Sequence, residues 1–503
     1  MNKTVKGILA GVGILAVLGG GLAVLKLTEP KENEESSALA EETTSLWTYT
    51  SDDVSKVTIK RKNGETLVAN RVMEKEPSTD MEGNAIEIDV ANYVVEGYED
   101  LPMEKVALRL LATRASDVFA SQLVKSDATD EELKNFGLDK PMEIRLDIDN
   151  RDPLIFNVGD IAPDKQYSYI SLASDPKSVY TVSSTFVEPY REENLFFLST
   201  TLTEGKDSEN GPEVTDVVVE RKDLDYKFHF VYDSYYGSDK NGGSSATHLM
   251  VEPVRSLLNA ERSQMATHGL YSLLATDIVQ PHPTEEDIAK YGLDDPYLKV
   301  TSQTDDGKTL VLTFGDTYTF TDPHDDTVQK TLYYGMLSGI DCIYGFSTDE
   351  LIYTTMKPED LTSKLVFETY VWDITKLDYT VGTNKLSFDV KAEDQDDAVV
   401  KVNGDDTDPE RYRKLYTSLL QSPAEEIVLD EVDVSEMTPM VSVHLEQKEA
   451  SRGYDVDFYD AGGLKAYIAV NGKVNFMCRK KYVETLAGNI GKYFTNEDFV
   501  MTW

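Results

Sequence analysis

Side chains with the chemistry to bind a metal or move a proton are scattered along this 503-residue chain. Six histidines, His229, His248, His268, His282, His324 and His444, never form an H-x-H or H-x-x-x-H pair, so a zinc site would have to be assembled from distant elements. Asp147-Ile148-Asp149-Asn150 and Gly404-Asp405-Asp406-Thr407-Asp408 are oxygen-rich in the manner of calcium loops. Neither carries the glycine at position six and glutamate at position twelve that the twelve-residue loop needs, and both read better as surface turns. No G-x-S-x-G elbow, P-loop or G-x-G-x-x-G occurs, and the glycine-rich Asp239-Lys240-Asn241-Gly242-Gly243 lacks the strand-to-helix setting that cradles phosphate. A glycosidase pair cannot be picked out among 90 acidic residues, because abundance carries no spacing information. The expectation is a non-enzyme with no catalytic, cofactor-binding or metal-ligating residue and no cofactor.

Two further groups invite a functional reading. Asp139 and Asp294 recur in matching positions, where an aspartate commonly accepts backbone N–H bonds in a turn, and that role outweighs a functional pair. The 28 tyrosines include the clusters Tyr232-Asp233-Ser234-Tyr235-Tyr236 and Tyr333-Tyr334. Exposed tyrosines suit carbohydrate or protein contact, while strand propensity favours the same enrichment.

The elements that must position these residues come as repeats. Val54-Ser55-Lys56-Val57 returns as Val214-Thr215-Asp216-Val217 and as Ile374-Thr375-Lys376-Leu377, at an interval of 160 residues, the size of a whole domain. Each opener alternates apolar and polar residues, reaches a turn such as Asn63-Gly64 or Gly382-Thr383-Asn384, and resumes, which predicts a hairpin or meander. An amphipathic helix is expected next, over Met103, Val106, Leu110, Leu111, Val118, Leu123 and Val124 in the first unit. Its counterparts are Val254, Leu257, Leu258, Tyr271, Leu274 and Ile278 in the second unit, then Tyr412, Leu415, Leu419 and Leu420 in the third. Thr129-Asp130-Glu131-Glu132 and Thr284-Glu285-Glu286-Asp287 read as the N-caps of short helices that end at Gly137 and Gly292. Strands then resume through Ile144, Leu146 and Ile148 or Leu298 and Val300, with Gly159-Asp160 and Gly315-Asp316 marking turns. Unit three departs from the pattern: Glu436-Met437-Thr438-Pro439 replaces the Gly-Leu-Asp element, as suits a terminal repeat.

Ahead of the repeats, residues 7–25 carry no charged or strongly polar side chain, long enough at ~1.5 Å per residue to span most of a ~30 Å hydrocarbon layer. Lys3 and Lys6 precede this run and acidic residues follow it, which places the N-terminus in the cytoplasm and the bulk outside. A cleaved signal is the alternative, but Ala38-Leu39-Ala40 lies too far beyond the run to favour cleavage there. Thr28 to Thr44 is Glu- and Ser-rich and reads as a flexible tether. With 90 Asp+Glu against 49 Lys+Arg the net charge is −41, which argues against nucleic-acid binding. Cys342 and Cys478 fall in different repeats and are expected to be free, buried thiols.

The order hairpin, helix, Phe136-Gly137-Leu138-Asp139-Lys140-Pro141, strand, Gly159-Asp160, Tyr169 strand, then Val179-Tyr180-Thr181-Val182 resembles the bacterial domain-of-unknown-function 4340 family. In the second unit the motif is Tyr291-Gly292-Leu293-Asp294-Asp295-Pro296. The resemblance covers residues 46–363 and holds in the third unit by pattern alone. It implies an exported or membrane-anchored protein, in some members an auxiliary component of gliding-motility-type ABC transporters, and implies no catalytic residues.

The expected architecture is α+β: a membrane helix in residues 1–27, a tether at 28–45, and units at 46–203, 204–366 and 367–503, each a mostly antiparallel sheet with a helix on one face. The expected role is an extracytoplasmic accessory or scaffold protein of a membrane assembly, with the bilayer, through residues 7–25, and an ABC transporter permease or other membrane protein as partners. The alternative is a cell-surface module binding cell-wall polymer or glycan.

Overall fold

The computed structural model describes residues 44–81, 83–206, 211–237, 246–322, 325–349, 351–367, 369–393 and 397–502. The apolar run at 7–25, the tether up to residue 43, the glycine-rich segment 239–243 and His324 lie outside the described residues. Among the described residues no helix is long and apolar enough to cross a membrane.

Three large antiparallel sheets follow one another. The first holds β1 (Val54–Lys60), β2 (Thr66–Thr79), β3 (Ala85–Val95), β4 (Gln122–Lys125), β5 (Met142–Ile148), β6 (Leu154–Ile161), β7 (Tyr167–Leu172) and β8 (Asp175–Ser183). The second holds β9 (Val214–Arg221), β10 (Phe228–Tyr232), β11 (His248–Glu252), β12 (Asp277–Pro281), β13 (Leu298–Thr304), β14 (Thr309–Asp322), β15 (Asp325–Leu337) and β16 (Cys342–Ser347). The third holds β17 (Ile374–Val381), β18 (Asn384–Lys391), β19 (Val399–Val402), β20 (Glu426–Ile427), β21 (Val441–Gln447), β22 (Tyr454–Gly462), β23 (Lys465–Val470) and β24 (Lys473–Arg479).

Their strand orders are 3-2-1-5-6-7-8-4, 11-10-9-13-14-15-16-12 and 19-18-17-21-22-23-24-20, the same arrangement three times, with one short extra strand at the outer edge of the second and third. An opening three-strand meander leaves the chain at one edge. It crosses to the far edge, lays down one strand, returns to the centre beside the opening strand, and meanders outward until the eighth strand pairs with the fourth. The central pair closes a long loop, with Val219 opposite Val300 in the second sheet and Tyr379 opposite Val443 in the third. Inward residues alternate where one face is covered, as with Met142, Ile144, Leu146 and Ile148 of β5, and β16 is buried along its whole length.

The described chain forms two compact units, residues 44–54, 59–65 and 113–190 in one and 55–58, 66–112 and 191–502 in the other. The larger unit holds one continuous apolar core that includes Val217, Phe228, Phe314 and Tyr353 as well as Leu377, Phe388, Leu445 and Ile490. A small cluster of Ala128, Leu138 and Val179 lies in the other unit.

The hairpin expectations hold, but the helices need correction. The first unit's helix is only Lys105–Thr113, burying Leu108, Leu111 and Ala112; Val118 belongs to the strand Asp117–Ala120, and Leu123 and Val124 to β4. In the second, the helix Ala260–Thr267 falls between the apolar residues assigned to it, with Leu257 in the short strand Ser256–Leu257 and Ile278 in β12. Apolar residues of a short two-sided strand mimic helical spacing, so periodicity alone cannot separate the two. The third helix, Pro409–Leu420, is as expected: Asp408 caps it and Tyr412, Leu415 and Leu419 are buried.

Candidate functional site

The recurring sequence motif is the natural place to look for a site, and its geometry is a clasp. Thr129 and Thr284 cap their helices in reciprocal boxes: each hydroxyl accepts from the N–H of Glu132 or Asp287 (3.3 and 3.2 Å), and each of those carboxylates accepts the threonine N–H (2.9 Å in both). These bonds, with Lys125 beside Glu132, hold the Glu132 carboxyl down at about 2. The helices stop at Gly137 and Gly292, whose φ values of 67° and 72° suit glycine. The helix end then presses on the neighbouring strand, where the Phe136 carbonyl accepts the Asp160 N–H (2.8 Å) and the Tyr291 carbonyl that of Asp316 (2.9 Å). A β-carbon on Gly159 or Gly315 would lie 2.2 or 2.1 Å from those same carbonyl oxygens. Gly159-Asp160 and Gly315-Asp316 are therefore not turns: they lie inside β6 and β14, where the ladder slips register between Val158 and Ile161 and between Phe314 and Thr317. The aromatic residue before each motif glycine packs on the later tyrosine, Phe136 on Tyr169 (4.7 Å) and Tyr291 on Tyr334 (4.4 Å).

Asp139 and Asp294 do not play the expected part. Both are exposed, and among the described residues no hydrogen bond reaches either carboxylate. Closure of the clasp is left to backbone groups and glycine packing.

Tertiary structure does bring two histidines together. His248 and His268 lie edge to face with ring centroids 5.5 Å apart, beside the Lys206–Glu213 ion pair (2.9 Å). His248 is 1% exposed; its Nε2 donates to the Val214 carbonyl (2.8 Å), so Nδ1 accepts from the Thr247 hydroxyl (2.9 Å). Thr267 gives its hydroxyl proton to the Ser263 carbonyl (2.9 Å) and accepts from Nδ1–H of His268 (2.8 Å), which frees Nε2 to accept from Lys206 (3.2 Å). His268 is thus neutral with its proton on Nδ1, and His248 in its neutral form is the opposite tautomer. Burial holds both below the usual histidine range, His268 at about 4 with help from Lys206 and His248. Thr267 is not an activated nucleophile, since its proton goes to a carbonyl. Lys206 and Glu213 carried no signal in the sequence, standing 62 and 55 residues from His268.

The remaining described histidines meet carboxylates on the surface: His229 with Asp216, His282 with Asp100, and His444 with Asp455 and Glu446. Among the described residues no three His, Cys, Asp or Glu side chains form a metal-holding group. Asp147 is taken by Arg145 (2.6 Å), and Asp408 is a helix cap. Cys342 and Cys478 are free and buried, with burial as the first cause pushing each thiol up to about 12.

The tyrosine clusters are packed. Tyr236 is buried, and Tyr235 lies against Arg452 while its hydroxyl donates to Asp373 (2.6 Å). Tyr333 stacks on Tyr297 and Tyr334 on Tyr318. Arg452 in turn forks onto Asp233 (2.7 and 2.8 Å), a pairing across 219 residues that nothing in the sequence signalled.

No curated protein and no solved structure matches the chain. A family described as Domain of unknown function (DUF4340) matches residues 94–227, from the end of β3 to just before β10, so one such domain, containing the first clasp, is present in this chain.

Proposed function

We propose that this chain is a non-enzymatic extracytoplasmic accessory or scaffold protein of a membrane assembly, with an ABC transporter of the gliding-motility type as the assembly that the family resemblance suggests. The observation that carries the reading is the threefold sheet in which, among the described residues, the recurring glycines are engaged in clasps, the paired histidines in hydrogen bonds and the thiols in apolar packing. Such a design supplies surface and stiffness. The apolar run at 7–25, preceded by Lys3 and Lys6, supports anchoring with the repeats outside the cell. The packed tyrosine clusters offer little support to the glycan-binding alternative.

Crosslinking in intact membranes followed by mass spectrometry tests the reading. Reproducible links from the repeats to a permease are expected; links to wall polymer alone, or to nothing above background, would replace it with the binding-module reading.

A further inference from the structure

We infer that the polar cavity between the second and third sheets is a binding site for a small carboxylate. The cavity, about 220 Å³, is lined by Asp233, Arg255, Gln447, Arg452, Tyr454 and Asn471 among others. A water's share of liquid volume is about 30 Å³, so there is room for a group the size of a small amino or hydroxy acid.

Charge selects an anion. Asp233 is already neutralised by the fork of Arg452, and its Oδ1 also accepts the Tyr235 N–H (2.9 Å). Arg255 lines the same cavity with no ion-pair partner among the described residues, and its backbone N–H is held by Oδ1 of Asn475 (3.4 Å). Close by, Lys473 donates to the Pro253 carbonyl (3.2 Å) and has no carboxylate partner among the described residues.

A neutral donor lines the same space. The Asn471 side-chain oxygen accepts the Asp455 N–H (2.9 Å), leaving its Nδ2 without an acceptor among the described residues. The Arg452 carbonyl accepts from Gln447 Nε2 (2.7 Å), which fixes this wall. A guanidinium presents two parallel N–H donors that match the two oxygens of a carboxylate, where a lysine would act only as a point charge. The site is independent of the accessory role, since it rests on this cavity alone.

Calorimetric titration of the purified full-length chain with sodium acetate, sodium lactate and inorganic phosphate, at constant ionic strength, tests the proposal. Saturable carboxylate binding is expected, weakened at least tenfold by Arg255→Ala, less by Arg255→Lys, and unchanged by Lys62→Ala on the first sheet. Asn471→Ala is the second variant, and circular dichroism checks that each substituted chain folds. No saturable carboxylate heat, affinity unchanged in both R255A and N471A, or a response to phosphate alone would overturn it.

Discussion

The first two repeats and the third join the same strands by different means. In the first two, a capped helix ends in a left-handed glycine and seats its last carbonyl on a glycine inside the adjacent strand, Phe136 on Gly159 and Tyr291 on Gly315. In the third, no helix forms: Val434, Tyr459, Ala469 and Val474 make an apolar cluster with Val428, Val432, Met437 and Tyr467 packed on it, and the Met440 N–H bonds to the Phe458 carbonyl. The strand order is identical regardless. The Gly-Leu-Asp signature is therefore one way to close this fold, by backbone contact, and side-chain burial is another.

The largest expected effect separates the two solutions. Gly159→Ala or Gly315→Ala forces a methyl into a carbonyl oxygen and should cost about 3 kcal/mol, read as faster hydrogen exchange of the Asp160 or Asp316 amide. Gly462→Ala in β22, where φ is 87° but nothing lies within 4 Å, should cost only about 1–2 kcal/mol. Equal costs would mean that the strand relaxes around the added methyl, because neither Gly159 nor Gly315 has a positive φ to account for a penalty.

The second repeat differs from the third in its buried imidazoles. His248 and His268 have folded-state values below the unfolded 6.5, so the unfolded chain binds more protons on acidification. Their contribution is fully present above about pH 6.5 and is lost as pH falls toward about 4, on the order of 3 kcal/mol for His268. His268→Gln should flatten the unfolding midpoint over that window; an unchanged slope would show that the pair does not stay neutral in the fold.

Smaller effects sharpen the contrast further. Met437→Ala should cost about 1–2 kcal/mol in the third repeat, as the loss of a partly buried side chain. Thr129→Ala or Thr284→Ala should cost about 1 kcal/mol by removing one cap, with exchange rising at the first helical amides. If M437A left exchange around Met440 untouched, the apolar cluster would not be the third repeat's closure.

The opening hairpins, the strands that follow each motif, the threefold recurrence, the capped short helices and the divergence of the third unit were legible in the sequence, because they rest on local alternation, capping chemistry and φ preference. The strand order and two of the three crossover helices were not. Val118, Leu123 and Val124 have spacings that a helix or a pair of short strands satisfies equally, and only pairing with residues far along the chain decides between them. Gly159-Asp160 reads locally as a turn, yet its glycine answers to the Phe136 carbonyl 23 residues earlier. The same reason hid the histidine pair, the Arg452–Asp233 fork and the Arg255 cavity: each is made of residues whose spacing carries no period, brought together by sheets that close over long stretches of chain. What the sequence determined by itself was whatever neighbours along the backbone decide, and the tertiary structure decided every contact whose partner lies beyond that reach.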